Sequence, residues 1–153
     1  MTFKGRVCRR SSAARPKDAH VAGEREVFKR NPQRKRRIKE ETGWLTVFDG
    51  TLNLAVPEGV FEALTAKCPL FVERPKDVEH PTNPRIPEIR DGYYYYRAVA
   101  SVAGEPQEVL VKRAGNPHDK RVVELVAPVG LMGHFSIDEG SEITVSVAAK
   151  DSS

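Results

Sequence analysis

Short stretches in which apolar and polar residues alternate recur along this chain of 153 residues, and turn-forming residues separate them. Alternation with a period of two predicts strands that bury one face, because successive side chains of a strand point to opposite sides. Such strands, or strands rich in β-branched and aromatic residues, are predicted at residues 3–9, 52–56, 69–72, 93–102, 109–111, 122–127 and 142–147. Six or seven short strands with few helices predict a mostly-β fold, most simply a small barrel.

Helical patterns are few and short. Residues 59–67 repeat apolar residues at helical spacing. Residues 130–135 are expected to form a helical turn at most, because two glycines weaken it. Residues 24–41 are weakly helical, with an interruption expected at Pro32. We predict a single domain with one or two short helices over residues 1–153, a basic loop or helical insertion at residues 9–41 and a flexible tail at residues 148–153.

A turn signal, Asp49-Gly50, stands directly before the strand predicted at residues 52–56. Glycine favours such turns because it adopts positive φ without steric cost. The alternation places Thr51 and Asn53 on the same polar face, just beyond the turn. A hydroxyl and an amide oxygen in this arrangement can both reach a hard cation or a phosphate. The alternative is a plain hairpin whose polar side chains face water.

Positive charge is concentrated at the start of the chain. The first 39 residues hold 14 of the 25 Lys and Arg residues but 3 of the 21 Asp and Glu residues, within a net charge of +4. Such a cluster attracts polyanions. The run at residues 34–37 (Arg-Lys-Arg-Arg) is either a solvated face or a patch that binds phosphate groups or nucleic acid. Nucleic acid is the weaker of these partners, because no aromatic residues interleave the run.

Two apolar strand patterns carry unusual polar groups. Glu124 interrupts an otherwise apolar stretch, and a buried carboxylate needs a partner or a catalytic task. The alternative is that Glu124 faces water on an edge strand. The run Tyr93, Tyr94, Tyr95 and Tyr96 must send two rings to each face of its strand. One pair is expected in the core, and the other is a candidate wall of an aromatic ligand site.

The remaining sequence signals are simple. Cys8 and Cys68 are isolated and predict neither a disulfide framework nor a zinc site. No apolar run approaches the roughly 20 residues that span a bilayer, and the first residues lack the apolar core of a signal peptide. We expect a cytoplasmic protein without a membrane partner.

Two blocks of sequence carry motifs of one known family. The first leads from residues 42–44 (Thr-Gly-Trp) to residues 50–54 (Gly-Thr-Leu-Asn-Leu). The second joins residues 123–128 (Val-Glu-Leu-Val-Ala-Pro) to the closing stretch at residues 137–145. In motif, order and separation they resemble the archaeal-type CTP-dependent riboflavin kinases, which have a Gly-Thr-Leu-Asn motif and a Glu-Ile-Ile-Ala-Pro block. The resemblance covers about residues 3–147.

The resemblance implies a six-stranded cradle-loop barrel and a set of site residues. It implies that Thr51 and Asn53 hold Mg²⁺ beside the phosphates, and that Glu124 binds the flavin near the accepting hydroxyl. Asn116 occupies the place of a second flavin-binding residue. The stretch that helps to hold the nucleotide in the family corresponds here to Val129, Gly130, Leu131 and Met132.

The sequence departs from the family pattern at two places. The family has a glycine-rich loop after its first strand, whereas this chain has Arg9, Arg10, Ser11 and Ser12. We expect charge to replace backbone dipoles in contacting the nucleotide there. Met132 stands where the family has an arginine.

The function implied by the resemblance is phosphoryl transfer from CTP, or a similar nucleoside triphosphate, to the primary hydroxyl of riboflavin, giving FMN. Mg²⁺ is the implied cofactor. The alternative is a barrel without catalytic activity that binds nucleic acid, or acts in regulation, through its basic first quarter.

Overall fold

The computed structural model describes residues 1–8, 32–74, 92–115, 117 and 119–148. Its elements in chain order are β1 (Thr2–Cys8), α1 (Pro32–Thr42), β2 (Leu52–Ala55), α2 (Val60–Thr65), β3 (Phe71–Glu73), β4 (Tyr93–Val102), β5 (Glu105–Ala114), β6 (Val122–Val126), α3 (Leu131–Phe135) and β7 (Glu142–Val147). No helix in this part of the chain is long and apolar enough to cross a membrane.

Six of the strands form a closed antiparallel barrel. Neighbouring strands follow the order β4, β5, β6, β2, β1, β7, and the pairing of β7 with β4 closes the ring. The ten residues of β4 allow it two partners beside β5, since residues 93–95 pair with β3 and residues 98–101 pair with β7. The predicted mostly-β, six-stranded barrel is confirmed, with β3 as a short extension of its wall.

Alternating side chains of these strands fill the barrel interior. In β1, Phe3 and Val7 are buried and the residues between them that carry charge are exposed. Leu64 of α2 and Leu131 of α3 belong to the same apolar cluster. This alternation is the pattern that made the strands recognisable from sequence.

A second apolar cluster lies on the outer face of the barrel. Its buried members are Ile38, Val47, Phe71, Tyr95, Leu110 and Val126. Helix α1 contributes Ile38, and the rings of Phe71 and Tyr95 stack with centroids 4.3 Å apart. Strand β5 therefore lies between two cores and is buried over residues 109–113. Strand β5 spans Glu105–Ala114 and is longer than the predicted residues 109–111, since burial there does not alternate and its extent could not be read from a period-2 pattern.

The tyrosine run divides between these two cores, as the alternation predicted. Tyr94 and Tyr96 pack in the barrel interior, whereas Tyr93 and Tyr95 pack in the outer cluster. Burial, and then the nearby Glu73, raise the pKa of Tyr95, so its hydroxyl keeps its proton and donates to Glu73 Oε1 at 3.3 Å. Both pairs of tyrosines therefore serve packing.

The helices differ in detail from expectation. Pro32 is the first residue of α1, where a helix needs no N–H from the residue, whereas residues 24–31 of the predicted helical segment lie outside the described residues. Gly43 follows the last residue of α1 with a positive φ of 80°, the usual conformation of glycine after a helix end. Residues 131–135 form the short helix α3, so the described chain has three helices.

Most side chains of the basic run at residues 34–37 form ion pairs with acidic residues of the same chain. Three of its four cations have acidic partners, in the ion pairs Arg34–Glu73, Lys35–Asp49 and Arg37–Glu41. Within this run, the side chain of Arg36 is exposed, whereas the other three are buried or half-buried. The structure therefore gives no support to the predicted polyanion or nucleic-acid patch at these residues. A charge run in sequence does not reveal an acidic partner such as Glu73, which lies on β3, 39 positions from Arg34.

Gly92, at the start of β4, is required by sterics as well as by backbone conformation. Its φ is +79°, and a Cβ at this position would lie 2.4 Å from the carbonyl oxygen of Glu73. We expect Gly92→Ala to lower the free energy of unfolding by more than about 2 kcal/mol, because left-handed strain adds to a backbone clash. Denaturant unfolding measures this loss.

Gly104 provides the matched control. Its φ is +82°, and a Cβ there meets nothing within 4 Å. Gly104→Ala is therefore expected to show only the strain of about 1–2 kcal/mol. Equal losses in the two variants would mean that the contact with Glu73 is unimportant.

Candidate active site

Two neighbouring strands bring together the polar residues that the sequence singled out. Thr51 and Asn53 face outward because Leu52 and Leu54 fill the barrel. The pairing of β2 with β6 places Asn53 directly opposite Glu124. The Thr51 hydroxyl donates a hydrogen bond of 2.9 Å to Glu124 Oε1, across 73 positions of sequence.

Glu124 lies in the wall of the barrel and not on an edge. Strand β6 pairs with β5 on one side and with β2 on the other. The Nζ atom of Lys112 on β5 lies 3.5 Å from Glu124 Oε2. The side chain of Glu124 is 18% exposed, and that of Lys112 is 1% exposed. Of the two alternatives left open by the sequence, the structure shows a partly buried carboxylate with partners.

A cleft of about 460 Å³ opens beside these residues. It is lined by Val7, Cys8, Thr51, Leu52, Asn53, Met132, Asp138 and Glu139. The cleft therefore joins the Thr51 and Asn53 pair to Met132 of the predicted nucleotide segment. The two acidic residues were not predicted as site residues, because an Asp-Glu-Gly sequence is typical of an ordinary turn.

Backbone hydrogen bonds hold this acidic turn against the end of β1. The N–H of Gly140 donates to the carbonyl of Val7 at 2.7 Å, and the N–H of Val7 donates to the carbonyl of Ser141 at 2.9 Å. Arg6 adds a bond from Nη1 to the Gly140 carbonyl at 3.2 Å. These contacts fix Asp138 and Glu139 at the rim of the cleft.

The loop before β2 supports the segment that follows Ala127. The N–H of Phe48 donates to the Ala127 carbonyl at 2.9 Å, and the Thr46 hydroxyl donates to the Pro128 carbonyl at 3.1 Å. A Cβ at Gly130 would lie 2.9 Å from the Phe48 ring. Glycine thus allows the close packing between this loop and residues 128–130.

The four residues of the predicted nucleotide-binding segment 129–132 differ in exposure. The side chains of Val129 and Met132 are exposed, and Met132 lines the cleft. Leu131 is 5% exposed and packs in the barrel core. The role of Leu131 in nucleotide binding stays a prediction, and with its side chain in the interior only its backbone could make that contact.

Cys8 lines the cleft beside Asn53, its partner in the register of β1 and β2. Burial raises the pKa of the Cys8 thiol above its usual value, and the Glu139 carboxylate raises it further. The thiol therefore stays protonated at neutral pH, and a protonated thiol is a poor nucleophile and metal ligand. Neither Cys8 nor Cys68 is in a disulfide among the described residues.

Some predicted site residues lie outside the described residues, namely Arg9, Arg10, Ser11, Ser12 and Asn116. Their proposed roles remain predictions. The sequence in turn gave no signal for Lys112, because a lysine followed by an arginine at the end of a strand is typical of a solvated position.

Thr51 and Asn53 line one cleft of a closed barrel, and Glu124 lies next to them on the neighbouring strand, an arrangement typical of a small-molecule-binding site. Residues 21–147 match the model of the CTP-dependent riboflavin kinase family, which is also described as a domain of unknown function, DUF120. The chain belongs to this family. No curated protein matches the chain.

The donor set at the cleft fits the magnesium ion that the family implies. The Thr51 hydroxyl donates a hydrogen bond to Glu124, so the lone pairs of its oxygen point away from Glu124 and can coordinate a cation. Asn53 supplies a neutral amide oxygen next to it. The described residues hold no group of three or more His, Cys, Asp or Glu that could bind a metal. A site with few protein ligands suits Mg²⁺, which usually keeps waters and shares substrate phosphates.

Proposed function

We propose that the protein transfers the γ-phosphoryl group of CTP to the primary hydroxyl of riboflavin, giving FMN and CDP. Membership of the CTP-dependent riboflavin kinase family supports this proposal. The observation that carries it is the proximity of Asn53 on β2, Thr51 directly before β2 and Glu124 on the adjacent strand β6. Since neither cysteine is in a disulfide, we propose the cytoplasm as the compartment.

In this reaction the acceptor oxygen forms a bond to the γ-phosphorus. The bond from that phosphorus to the β–γ bridging oxygen breaks and CDP leaves with that oxygen, while the hydroxyl proton passes to the Glu124 carboxylate. The charge spreads over the phosphoryl oxygens in a loose transition state, so catalysis consists mainly of positioning and charge neutralisation. Mg²⁺, when bound, supplies this neutralisation.

The residues at the cleft divide these tasks. Thr51 and Asn53 would hold the metal, and Glu124 accepts a hydrogen bond from the riboflavin hydroxyl and orients it. The exposed side chains of Val129 and Met132 provide apolar contact for a nucleotide, and Arg9 and Arg10 are expected to meet its phosphates. Asn116 is expected to touch the flavin.

The metal role of Asn53 can be tested by binding. We expect Asn53→Ala to weaken CTP binding in the presence of Mg²⁺ by at least roughly tenfold, because an oxygen ligand is lost. Binding of CTP without Mg²⁺ should change little. Calorimetric titration of both proteins, each with and without Mg²⁺, measures the two affinities.

Gln107 on β5 provides the matched amide. Its Nε2 donates to the Glu108 carbonyl in an exposed setting, so Gln107→Ala should bind CTP as the unaltered protein does. If Asn53→Ala retained full Mg²⁺-dependent affinity, Asn53 would not be a metal ligand.

A further inference from the structure

A row of side chains crosses the outer face of the barrel and ends at the cleft. Strand pairing places Tyr95 opposite Lys112, Lys112 opposite Glu124, and Glu124 opposite Asn53. Residues directly opposite one another in antiparallel strands share a face of the sheet. Lys112 is therefore the immediate neighbour of the candidate acceptor-binding carboxylate.

Lys112 is one of the most deeply buried residues of the described chain, with 1% of its side chain exposed. Burying an ammonium group is costly unless other groups compensate its charge. Two compensating groups are present: Glu124 Oε2 at 3.5 Å, and the face of the Tyr93 ring, whose centroid lies 4.3 Å from Nζ. The burial of Lys112 is therefore compensated by specific partners, which is not expected of a lysine that merely faces solvent.

Lys112 and Thr51 contact different oxygens of the same carboxylate. Lys112 lies beside Oε2, whereas the Thr51 hydroxyl donates to Oε1. Two contacts on two oxygens fix the plane of a carboxylate, which a single contact does not. The Tyr93 ring in turn has the guanidinium of Arg34 5.5 Å from its centroid, which ties this arrangement to α1.

We propose that Lys112 is a positioning residue that holds the Glu124 carboxylate in the orientation needed to bind the acceptor hydroxyl. Lys112 itself does not contact substrate, because only 1% of its side chain is exposed. This proposal rests on the proposed function for its kinetic consequence, whereas its structural consequence can be tested independently. It adds to the site a residue outside the motifs that resemble the family.

The kinetic test compares Lys112→Met with Lys112→Arg. We expect Lys112→Met to lower kcat for FMN formation by about tenfold to a hundredfold, with the KM for CTP nearly unchanged, because an acceptor misplaced by about 1 Å reacts much more slowly. Lys112→Arg keeps the charge and should recover part of kcat. Lys4→Met is the control, since Lys4 is exposed and pairs with Glu142 on the surface.

A second pair of variants covers the case in which Lys112→Met does not fold. Tyr93→Phe keeps the ring face that supports Lys112, whereas Tyr93→Leu removes it. We expect Tyr93→Phe to retain kcat and Tyr93→Leu to lose it. A general loss of packing would instead affect KM and stability as well. Equal kcat values for Tyr93→Leu and Tyr93→Phe, or full kcat in Lys112→Met, would overturn the proposal.

The structural test does not depend on activity. The test is a crystal structure of Lys112→Met, or of Tyr93→Leu if Lys112→Met does not fold. We expect the distance between Glu124 Oε1 and Thr51 Oγ1 to become too long for a hydrogen bond. An unmoved carboxylate would overturn the positioning role even in an active enzyme. A displaced carboxylate in a protein whose unaltered form makes no FMN would uphold the role and reject the proposed function.

Discussion

Replacing Glu124 with glutamine is expected to lower kcat for FMN formation by about 10²–10⁴-fold, the range usual for removal of an acid–base group. Glutamine keeps the size of the side chain and can still accept the Thr51 hydrogen bond. It loses the negative charge that strengthens a hydrogen bond from the acceptor hydroxyl. It also leaves Lys112 without its anionic neighbour. Steady-state assays with riboflavin and CTP measure the loss.

The loss of charge beside a buried lysine will also reduce stability, so a second variant separates the two effects. Glu124→Asp keeps the charge near Lys112 but withdraws the carboxylate from the acceptor by about one methylene. We expect it to retain more stability than Glu124→Gln while kcat still falls. Glu108→Gln is the surface control, because Glu108 pairs with Arg97 in an exposed ion pair. Full activity in Glu124→Gln would remove Glu124 from the reaction.

Replacing Arg34 with methionine is expected to lower the free energy of unfolding by about 3–5 kcal/mol, the usual effect of removing one partner of a buried ion pair. Arg34 binds both oxygens of Glu73, from Nε at 2.9 Å and from Nη2 at 2.8 Å. The two residues are 3% and 4% exposed. Without Arg34, the buried Glu73 carboxylate would keep the Tyr95 hydroxyl as its hydrogen-bond partner among the described side chains, with no cation to pair its charge there.

Arg34 is charged at every pH at which the protein is studied. Burial alone would lower the pKa of Arg34, but Tyr95 and Glu73 beside it outweigh burial and raise it. The expected destabilisation therefore reflects a lost charge pair and not a change of protonation of Arg34. Chemical denaturation at neutral pH measures it directly.

Two further variants test whether the loss in Arg34→Met comes from the buried ion pair. Arg36→Met alters an exposed cation of the same helix and should change stability by no more than about 0.5 kcal/mol. The double variant Arg34→Met with Glu73→Leu removes both charges and should recover much of the loss, because no buried charge is left unpaired. A small effect of Arg34→Met alone would show that the pair contributes little to holding α1 on the barrel.

Much of the fold could be predicted because alternation directly records which face of each strand is buried. The strands at residues 93–102 and 142–147 were predicted with the bounds that the structure shows. The same reasoning placed Thr51 and Asn53 together on one face. The proximity of Glu124 to them followed from the family resemblance and not from the pattern, since the register between β2 and β6 leaves no local signal.

The burial of Arg34 and Lys112 could not be predicted from the sequence. Arg34 was assigned to a solvated or polyanion-binding face, yet it is buried against Glu73, 39 positions away. Lys112 was overlooked, yet it is buried beside Glu124. The burial of a charge depends on a partner that only the tertiary fold supplies, so periodicity and composition cannot reveal it.

The most direct test of the account is a turnover assay of the purified protein with riboflavin, Mg²⁺ and either CTP or ATP, with FMN detected by chromatography. We predict Mg²⁺-dependent formation of FMN that is faster with CTP than with ATP and is abolished by a metal chelator. Failure to form FMN with either nucleotide, in a protein that also fails to bind riboflavin in a calorimetric titration, would contradict the proposed function.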